Sequence, residues 1–205
     1  EDTNSYGPVL QIGLNRRFDP DLIKVKQRYK SLNAIINSCL ITNRDPIRPN
    51  INFVKDSGGL FLDFNVHDFD LIRYITGCHI TSVFARGDVF IEPQLAKYND
   101  YDTAIIVARL SNGAVAAIDT SRETGYGYDQ RLELHTDQGD LSIENILESN
   151  VIHHLEGKLM SDELKFSFVE RYKNAYQEQM KVFFSEIENR TGNIPNLTDL
   201  YYAVM

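Results

Sequence analysis

The chain has 205 residues, 42% of them hydrophobic and 24% charged, and its formal net charge at pH 7 is −8. This composition is typical of a folded domain, and scattered basic residues on an acidic chain argue against a nucleic-acid partner. No apolar run approaches the roughly 20 residues that a membrane span needs, and residues 1–5 do not resemble a signal peptide. Cys39 and Cys78 lie far apart, so they predict neither a disulfide scaffold nor a metal site, and they favour a reducing, cytoplasmic location.

The first third of the sequence predicts two strands and two helices. Asp19 as N-cap and Pro20 at the first helical position mark one helix start, and Gly77 can end a later helix in the left-handed conformation. The predicted elements are a buried strand over residues 9–14, a helix over 20–31, a strand over 38–42, a polar loop over 43–52 and a helix over 58–76.

From residue 80 onward the pattern changes to short strands separated by turns. Asn112-Gly113 between two β-rich runs is a strong hairpin signal, and residues 137–140 predict another turn. Because hairpins favour antiparallel pairing, the fold class is α+β, a large and mostly antiparallel sheet with helices on one face. Strands are predicted over residues 80–91, 102–110, 114–122, 129–136, 141–144, 151–155 and 163–168. A helix over 169–190 follows, with an apolar stripe of Tyr172, Tyr176, Met180, Phe183, Phe184 and Ile187.

Two of these strands are apolar on both faces. Residues 105–108 read Ile-Ile-Val-Ala and residues 115–118 read Val-Ala-Ala-Ile, so each strand presents apolar side chains to both sides of the sheet. Helices can cover only one side, and a second subunit commonly covers the other. We therefore expect a homo-oligomer, a dimer or tetramer formed through the open sheet face, in preference to a solvent-exposed face.

The segment from Gly58 to Tyr74 carries the chemistry. On a helix Asp63, His67, Asp70 and Tyr74 share one face, because they are spaced at i, i+4, i+7 and i+11. A carboxylate one turn from an imidazole can orient the ring and stabilise the imidazolium, as a general base requires. The same spacing also fits a surface ion pair, a structural histidine, or a metal site of Asp63, His67 and Asp70.

Residues 58–70, Gly-Gly-Leu-Phe-Leu-Asp-Phe-Asn-Val-His-Asp-Phe-Asp, resemble the G-G-x-x-x-D-x-x-x-H-D-x-D signature of the GFO/IDH/MocA oxidoreductases, with inositol dehydrogenases as the nearest members. Further resemblance comes from four collinear segments, so that it spans nearly the whole chain. These are residues 11–19 (Gln-Ile-Gly-Leu-Asn-Arg-Arg-Phe-Asp), 42–46 (Thr-Asn-Arg-Asp-Pro), 119–122 (Asp-Thr-Ser-Arg) with 126–131 (Tyr-Gly-Tyr-Asp-Gln-Arg), and 139–145 (Gly-Asp-Leu-Ser-Ile-Glu-Asn).

The resemblance implies an enzyme in which a nicotinamide cofactor, NAD or NADP, takes hydride from an alcohol carbon of a sugar or cyclitol. It implies that His67 is the catalytic base and that Asp63 assists it and binds substrate hydroxyls. Asp70 and Tyr128 would line the polyol pocket, with Arg16 and Arg44 near its mouth. From the residues alone, Arg16 and Arg44 fit helix-cap or sheet-edge salt bridges equally well.

The sequence also departs from the family pattern. It contains no G-x-G-x-x-G turn for the cofactor phosphates and no Glu-Lys-Pro motif. We expect residues 1–15 to be the last strand of a nucleotide-binding domain and residues 16–205 to be a substrate-binding and oligomerisation domain, truncated in its last helix. The chain by itself should then be inactive, as a fragment of a polyol dehydrogenase. The alternative is a non-catalytic ligand-sensing or regulatory protein of the same fold.

Overall fold

A six-stranded sheet forms the centre of the computed structural model, which describes residues 8–48 and 50–205. The strand order is β2-β3-β4-β1-β5-β6, and β1 and β4 pair in parallel while the other neighbours are antiparallel. A separate hairpin pairs β7 with β8. The strands are β1 Ile36–Arg44, β2 Ile80–Asp88, β3 Thr103–Leu110, β4 Val115–Ser121, β5 Asp129–Thr136, β6 Gly139–Ile143, β7 Ile152–Leu155 and β8 Lys158–Ser161.

Helices precede and follow the meander of strands. They are α1 Pro20–Leu32, α2 Ile51–Ser57, α3 Val66–Thr76, α4 Phe168–Arg171, α5 Lys173–Asn189 and α6 Leu197–Val204, with 3-10 turns at Asn15–Phe18 and Pro93–Tyr98 and a π-helix at Leu60–Phe64. No helix in the described part of the chain is both long and apolar enough to span a membrane.

Local sequence signals explain several of these boundaries. The Asp19 side chain accepts hydrogen bonds from the backbone N–H groups of Asp21 and Leu22 and so caps α1. Gly77 ends α3 with a φ of 72°, and Gly113 turns β3 into β4 with a φ of 90°. Both glycines occupy the left-handed region, which costs a residue with a side chain about 1–2 kcal/mol.

The core lies between one face of the sheet and the helices α1 and α3. Ile106 and Ile118 are direct neighbours on β3 and β4, and both are fully buried. They belong to one cluster with Leu71 and Ile75 of α3 and Leu22 of α1. Burial of each such side chain contributes roughly 1.5–3 kcal/mol, so this single apolar layer holds α3 in place.

The opposite face of the sheet remains uncovered within this chain. Phe84 of β2 is 71% exposed and Ile105 of β3 is 50% exposed. Val107 and Val115 add further exposed apolar surface. Because the strands are apolar on both sides, the prediction of a two-sided apolar sheet is confirmed.

The mostly antiparallel α+β architecture is confirmed, but several local predictions are wrong. Strand β1 pairs with β4 within the six-stranded sheet, whereas β7 and β8 form a separate hairpin outside it. Residues 163–168 form no strand apart from an isolated bridge between Leu164 and Leu147. Residues 9–14 form no strand within the described chain, and the Ile12 N–H donates instead to the Pro195 carbonyl.

Both long predicted helices are interrupted. The helix predicted over residues 58–76 is divided into the π-helix and α3, and α2, which was not predicted, begins at the end of the predicted loop over residues 43–52. The second breaks at Tyr172, which leaves the helical conformation so that its ring can be buried against Tyr128 and Ala175. Most of the stripe predicted to pack is exposed: Tyr176, Met180, Phe184 and Ile187.

Candidate active site

A cavity of about 430 Å³ opens beside the start of α3. Its walls come from the first 3-10 turn, the loop after β1, α2, the π-helix, the end of β4 and the α4–α5 junction. This volume lies within the range of pockets for small ligands. The residues lining it are Asn15, Arg16, Asp45, Ile47, Asn50, Phe53, Asp63, Phe64, His67, Arg122, Tyr128, Phe168, Tyr172 and Tyr176.

The Gly58-Gly59 pair sets how the chain enters the π-helix. Gly59 has φ 80° and ψ −177°, a combination open essentially to glycine alone. A Cβ atom on Gly59 would lie 2.8 Å from Oδ1 of Asp100. That same oxygen accepts the Leu60 backbone N–H at 2.7 Å. The glycine therefore lets the Asp100 carboxylate fix the first residue of the π-helix, which carries Asp63 to the cavity.

Asp63 is bound to Arg122 rather than to His67. Nη1 of Arg122 lies 3.3 Å from Oδ2 of Asp63, and Nη2 lies 3.5 Å from Oδ2 of Asp100. Arg122 is only 4% exposed, so two carboxylates balance its charge inside the cavity wall. Burial raises the pKa of Asp63, and the positive charge of Arg122 opposes that rise.

His67 lines the same cavity and is partly buried. Its Nδ1 atom is enclosed and has no hydrogen-bond partner among the described residues. Burial, with the positive charge of Arg16, lowers the pKa of His67 to about 3. The imidazole is therefore neutral near pH 7, as a proton acceptor must be.

Arg16 and Tyr128 form the inner wall. Nη1 of Arg16 donates to the buried carboxylate of Asp68, and Nη2 lies 3.5 Å from the Tyr128 hydroxyl. Arg16 is buried, not at the mouth where it was predicted. The Tyr172 ring lies 5.7 Å from the Arg16 guanidinium carbon. Burial raises the pKa of Tyr128 well above its usual value, so its hydroxyl stays protonated and can donate a hydrogen bond.

The structure places Asp70 and Arg44 outside the cavity lining. Asp70 is buried and accepts two hydrogen bonds from Arg17, including one from Nε at 2.8 Å. Arg44, at the end of β1, binds Asp119 of the parallel neighbour β4 at 2.7 Å. Asp63 and Asp70 do not share one face of a continuous α-helix as predicted, because the chain changes from π-helix to α-helix between them. Because both oxygens of the Asp70 carboxylate accept from Arg17 and the residue does not line the cavity, Asp70 is not placed to bind a substrate there.

Two lining residues carry chemistry that the sequence did not assign. Asp45 follows β1 directly, and burial raises its pKa. Arg122 follows β4 directly and donates a hydrogen bond to Asp63. Both lie in segments that resemble the family, residues 42–46 and 119–122, so their signal was present in the sequence. What the sequence lacked was the parallel pairing of β1 with β4, which brings the ends of these strands together.

The alternative of a metal site at Asp63, His67 and Asp70 is not supported, because the two carboxylates bind different arginines. Within residues 8–48 and 50–205, no group of three or more His, Cys, Asp or Glu side chains is arranged to hold a metal ion.

Comparisons with known proteins agree with this fold. Residues 36–142 match the family model of the GFO/IDH/MocA C-terminal domain. The chain belongs to the GFO/IDH/MocA family. It is 42% identical over 183 residues to an uncharacterized oxidoreductase, YrbE, of Bacillus subtilis, covering 89% of this chain and 54% of that protein. It is 37% identical over 192 residues to a myo-inositol 2-dehydrogenase of Thermotoga maritima, covering 92% and 57%.

A solved structure extends the comparison to a protein with bound ligands. The scyllo-inositol dehydrogenase of Lactobacillus casei, with bound NAD(H) and scyllo-inositol, superimposes with a TM-score of 0.83 at 28% identity. The match covers 95% of this chain and 59% of that one. The chain thus spans little more than half the length of the relatives it matches.

Proposed function

We propose that this chain is the substrate-binding and catalytic-base part of an NAD(P)-dependent oxidoreductase that oxidises an alcohol group of a cyclitol or sugar. The observation that carries the proposal is a neutral histidine, His67, in the same cavity wall as Asp63 and Arg122. Support comes from the relatives, one a myo-inositol 2-dehydrogenase and one solved with NAD(H) and scyllo-inositol. In this proposal residues 16–205 form the substrate-binding and oligomerisation domain.

The cavity suits a neutral polyol. Asp45 and Asp63 can accept hydrogen bonds from hydroxyl groups, and Arg122, Asn15 and Tyr128 can donate to hydroxyl oxygens. Asp63 and Asp100 balance the positive charge of Arg122, and Asp68 balances that of Arg16. The described lining residues therefore offer no uncompensated cation for a phosphate or carboxylate. A ring with many hydroxyls satisfies such a mixed set of donors and acceptors without bringing a charge.

The cofactor would be shared between this chain and the rest of the protein. Exposed apolar side chains line the open side of the cavity, among them Phe53, Phe168 and Tyr176, and they fit a flat ring such as nicotinamide. The sequence has no glycine-rich cradle for phosphates, so residues beyond this chain would hold them. A bound nicotinamide ring would supply the acceptor for the hydride of the alcohol carbon.

His67 takes the hydroxyl proton in this proposal. Because Nδ1 is enclosed, the acceptor is Nε2. A pKa of about 3 makes His67 a weak base in this conformation. The bond from Arg122 to Asp63 is long, at 3.3 Å, and substrate can displace it. Asp63 then turns toward the imidazole and stabilises the positive charge that develops as the proton moves.

The test is oxidation of cyclitols by the full-length protein with NAD or NADP, followed by absorbance of the reduced cofactor. His67→Gln should lower kcat by about 10²–10⁴-fold, the usual contribution of a general base, while cofactor affinity is unchanged. His154→Gln is the matched control, because His154 is exposed on β7, away from the cavity. Wild-type turnover in His67→Gln would refute the assignment. Polyol binding without turnover in the wild-type protein would support a ligand-sensing protein instead.

We also propose that the open sheet face pairs with a second copy of the chain. Phe84 and Ile105 project from that face and are mostly exposed, and an exposed apolar patch of this kind commonly marks a subunit interface. Sedimentation should show a dimer or tetramer, and Phe84→Glu should dissociate it. A monomeric wild-type protein at micromolar concentration would contradict this.

Two free cysteines, Cys39 and Cys78, fit a reducing, cytoplasmic location.

A further inference from the structure

The residue after His67 is the most deeply buried carboxylate in the described part of the chain. Asp68 has no exposed surface, and its carboxylate accepts hydrogen bonds from three different parts of the chain. Oδ1 accepts from Arg16 in the first 3-10 turn. Oδ2 accepts from Nδ2 of Asn43 on β1 at 2.6 Å and from Nδ2 of Asn65 at 2.9 Å. A buried carboxylate is retained at low cost only with such a set of donors.

These three contacts fix the part of the chain that presents His67. Asn65 precedes α3, and its carbonyl accepts the backbone N–H groups of Asp68 and Phe69. Asp68 therefore closes the first helical turn on itself and, through Asn43, ties that turn to the sheet. His67 lies inside this turn. On the other side Asp68 holds Arg16, whose charge acts on His67.

We propose that Asp68 is a positioning residue of this site, which holds the first turn of α3 and the Arg16 guanidinium in fixed relation to His67. The proposal rests on the proposed function for its effect on turnover. Asp63, the carboxylate predicted to orient His67, binds Arg122 in this structure. Asp68 acts instead through the backbone of the turn and through Arg16, without touching the substrate.

The two asparagines make Asp68→Asn an informative change. Oδ1 of Asn43 and Oδ1 of Asn65 have no partner among the described residues. An amide at position 68 can donate to one of these oxygens and still accept from the other asparagine. The links to β1 and to the first turn can thus be rebuilt, whereas the ion pair with Arg16 cannot. The variant therefore removes the negative charge at position 68 while it keeps the shape of the side chain.

Asp68→Asn in the full-length protein should lower kcat by about 10-fold or more, since small misplacement of a reacting group can cost about 100-fold, and should leave cofactor affinity unchanged. Asp119→Asn is the matched control. It removes the carboxylate of the half-exposed Arg44 pair outside the cavity and should keep wild-type kcat. Should Asp68→Asn fail to fold, Asn43→Ser and Asn65→Ser each remove one link while Arg16 stays paired. Wild-type kcat in both serine variants, or in Asp68→Asn, would overturn the proposal.

A second measurement requires no turnover. Histidine titration is followed by NMR, with the His67 signal identified by its loss in His67→Gln. Arg16→Gln removes a positive charge that lowers the pKa of His67 and leaves Asp68 without a counter-charge, so this pKa should rise above its value of about 3. The double variant Arg16→Gln/Asp68→Asn should show a smaller rise. Asp68 follows His67 in α3, and the charged or titratable groups that line the same cavity as His67 are Arg16, Asp45, Asp63, Arg122, Tyr128, Tyr172 and Tyr176.

Equal titration of His67 in the single and double variants would overturn the coupling to Asp68, because a purely structural carboxylate would not move that pKa. This outcome is separate from the proposed function. A wild-type protein that oxidises no polyol would refute the dehydrogenase assignment and leave the titration result unchanged.

Discussion

Substitution of Gly59 by alanine tests the construction of the site, because two independent penalties meet at this residue. The first is conformational: φ 80° with ψ −177° costs a residue with a side chain about 2–3 kcal/mol. The second is steric. The new Cβ would lie 2.8 Å from Oδ1 of Asp100, so the carboxylate must move and release the Leu60 N–H. A hydrogen bond to a charged group is worth about 1.5–3 kcal/mol. The expected loss is therefore about 4–6 kcal/mol.

The assay is thermal or urea unfolding with Gly113→Ala as the control. Gly113 has a similar φ of 90°, but a Cβ there meets no atom within 4 Å, so that variant carries the backbone penalty of about 1–2 kcal/mol alone. The difference of about 3 kcal/mol corresponds to about 6–12 °C in Tm for a chain of this size. Equal losses in the two variants would show that Asp100 does not fix the start of the π-helix, and the account of how Asp63 reaches the cavity would fail.

Two further predictions concern pH and the core. The folded pKa of His67, about 3, lies below the usual unfolded value of about 6.5, so the unfolded chain binds its proton more tightly. The contribution of His67 to the free energy of unfolding is therefore fully present above about pH 6.5. It decreases as the pH falls toward 3, by up to about 1.4 kcal/mol per pH unit. Urea unfolding at pH 7 and pH 5 should show a smaller pH-dependent loss in His67→Gln than in wild type, and identical dependence would contradict the burial of the neutral ring. Leu134→Ala, in the core, should lower the free energy of unfolding by about 2–5 kcal/mol. Leu159→Ala, at an exposed position of β8, should lower it by about 0.5 kcal/mol or less. Comparable losses in the two variants would contradict the assignment of Leu134 to the core.

Short-range signals made much of the fold predictable. Three of these signals each depend on residues within a few positions of one another: the N-cap at Asp19, the hairpin turn at Asn112-Gly113, and Gly77 at the end of α3. Apolar runs such as residues 105–108 and 115–118 located the central strands and indicated that both sheet faces are apolar. These features follow from backbone geometry and hydrogen bonding inside one segment, so they can be recognised without knowledge of the rest of the chain.

The sequence alone also brought Asp63 and His67 forward as a pair, and the structure places both in one cavity. It did not determine their partners. Asp63 binds Arg122, 59 residues away, and Arg16 binds Asp68, 52 residues away. The first contact depends on the π-helix that carries Asp63, and the second on the packing of the first 3-10 turn against α3, and neither feature leaves a periodic pattern in the sequence. Tertiary structure decided these contacts because a buried charge takes whichever counter-charge the fold brings within reach, and that distance is set by packing rather than by spacing along the chain.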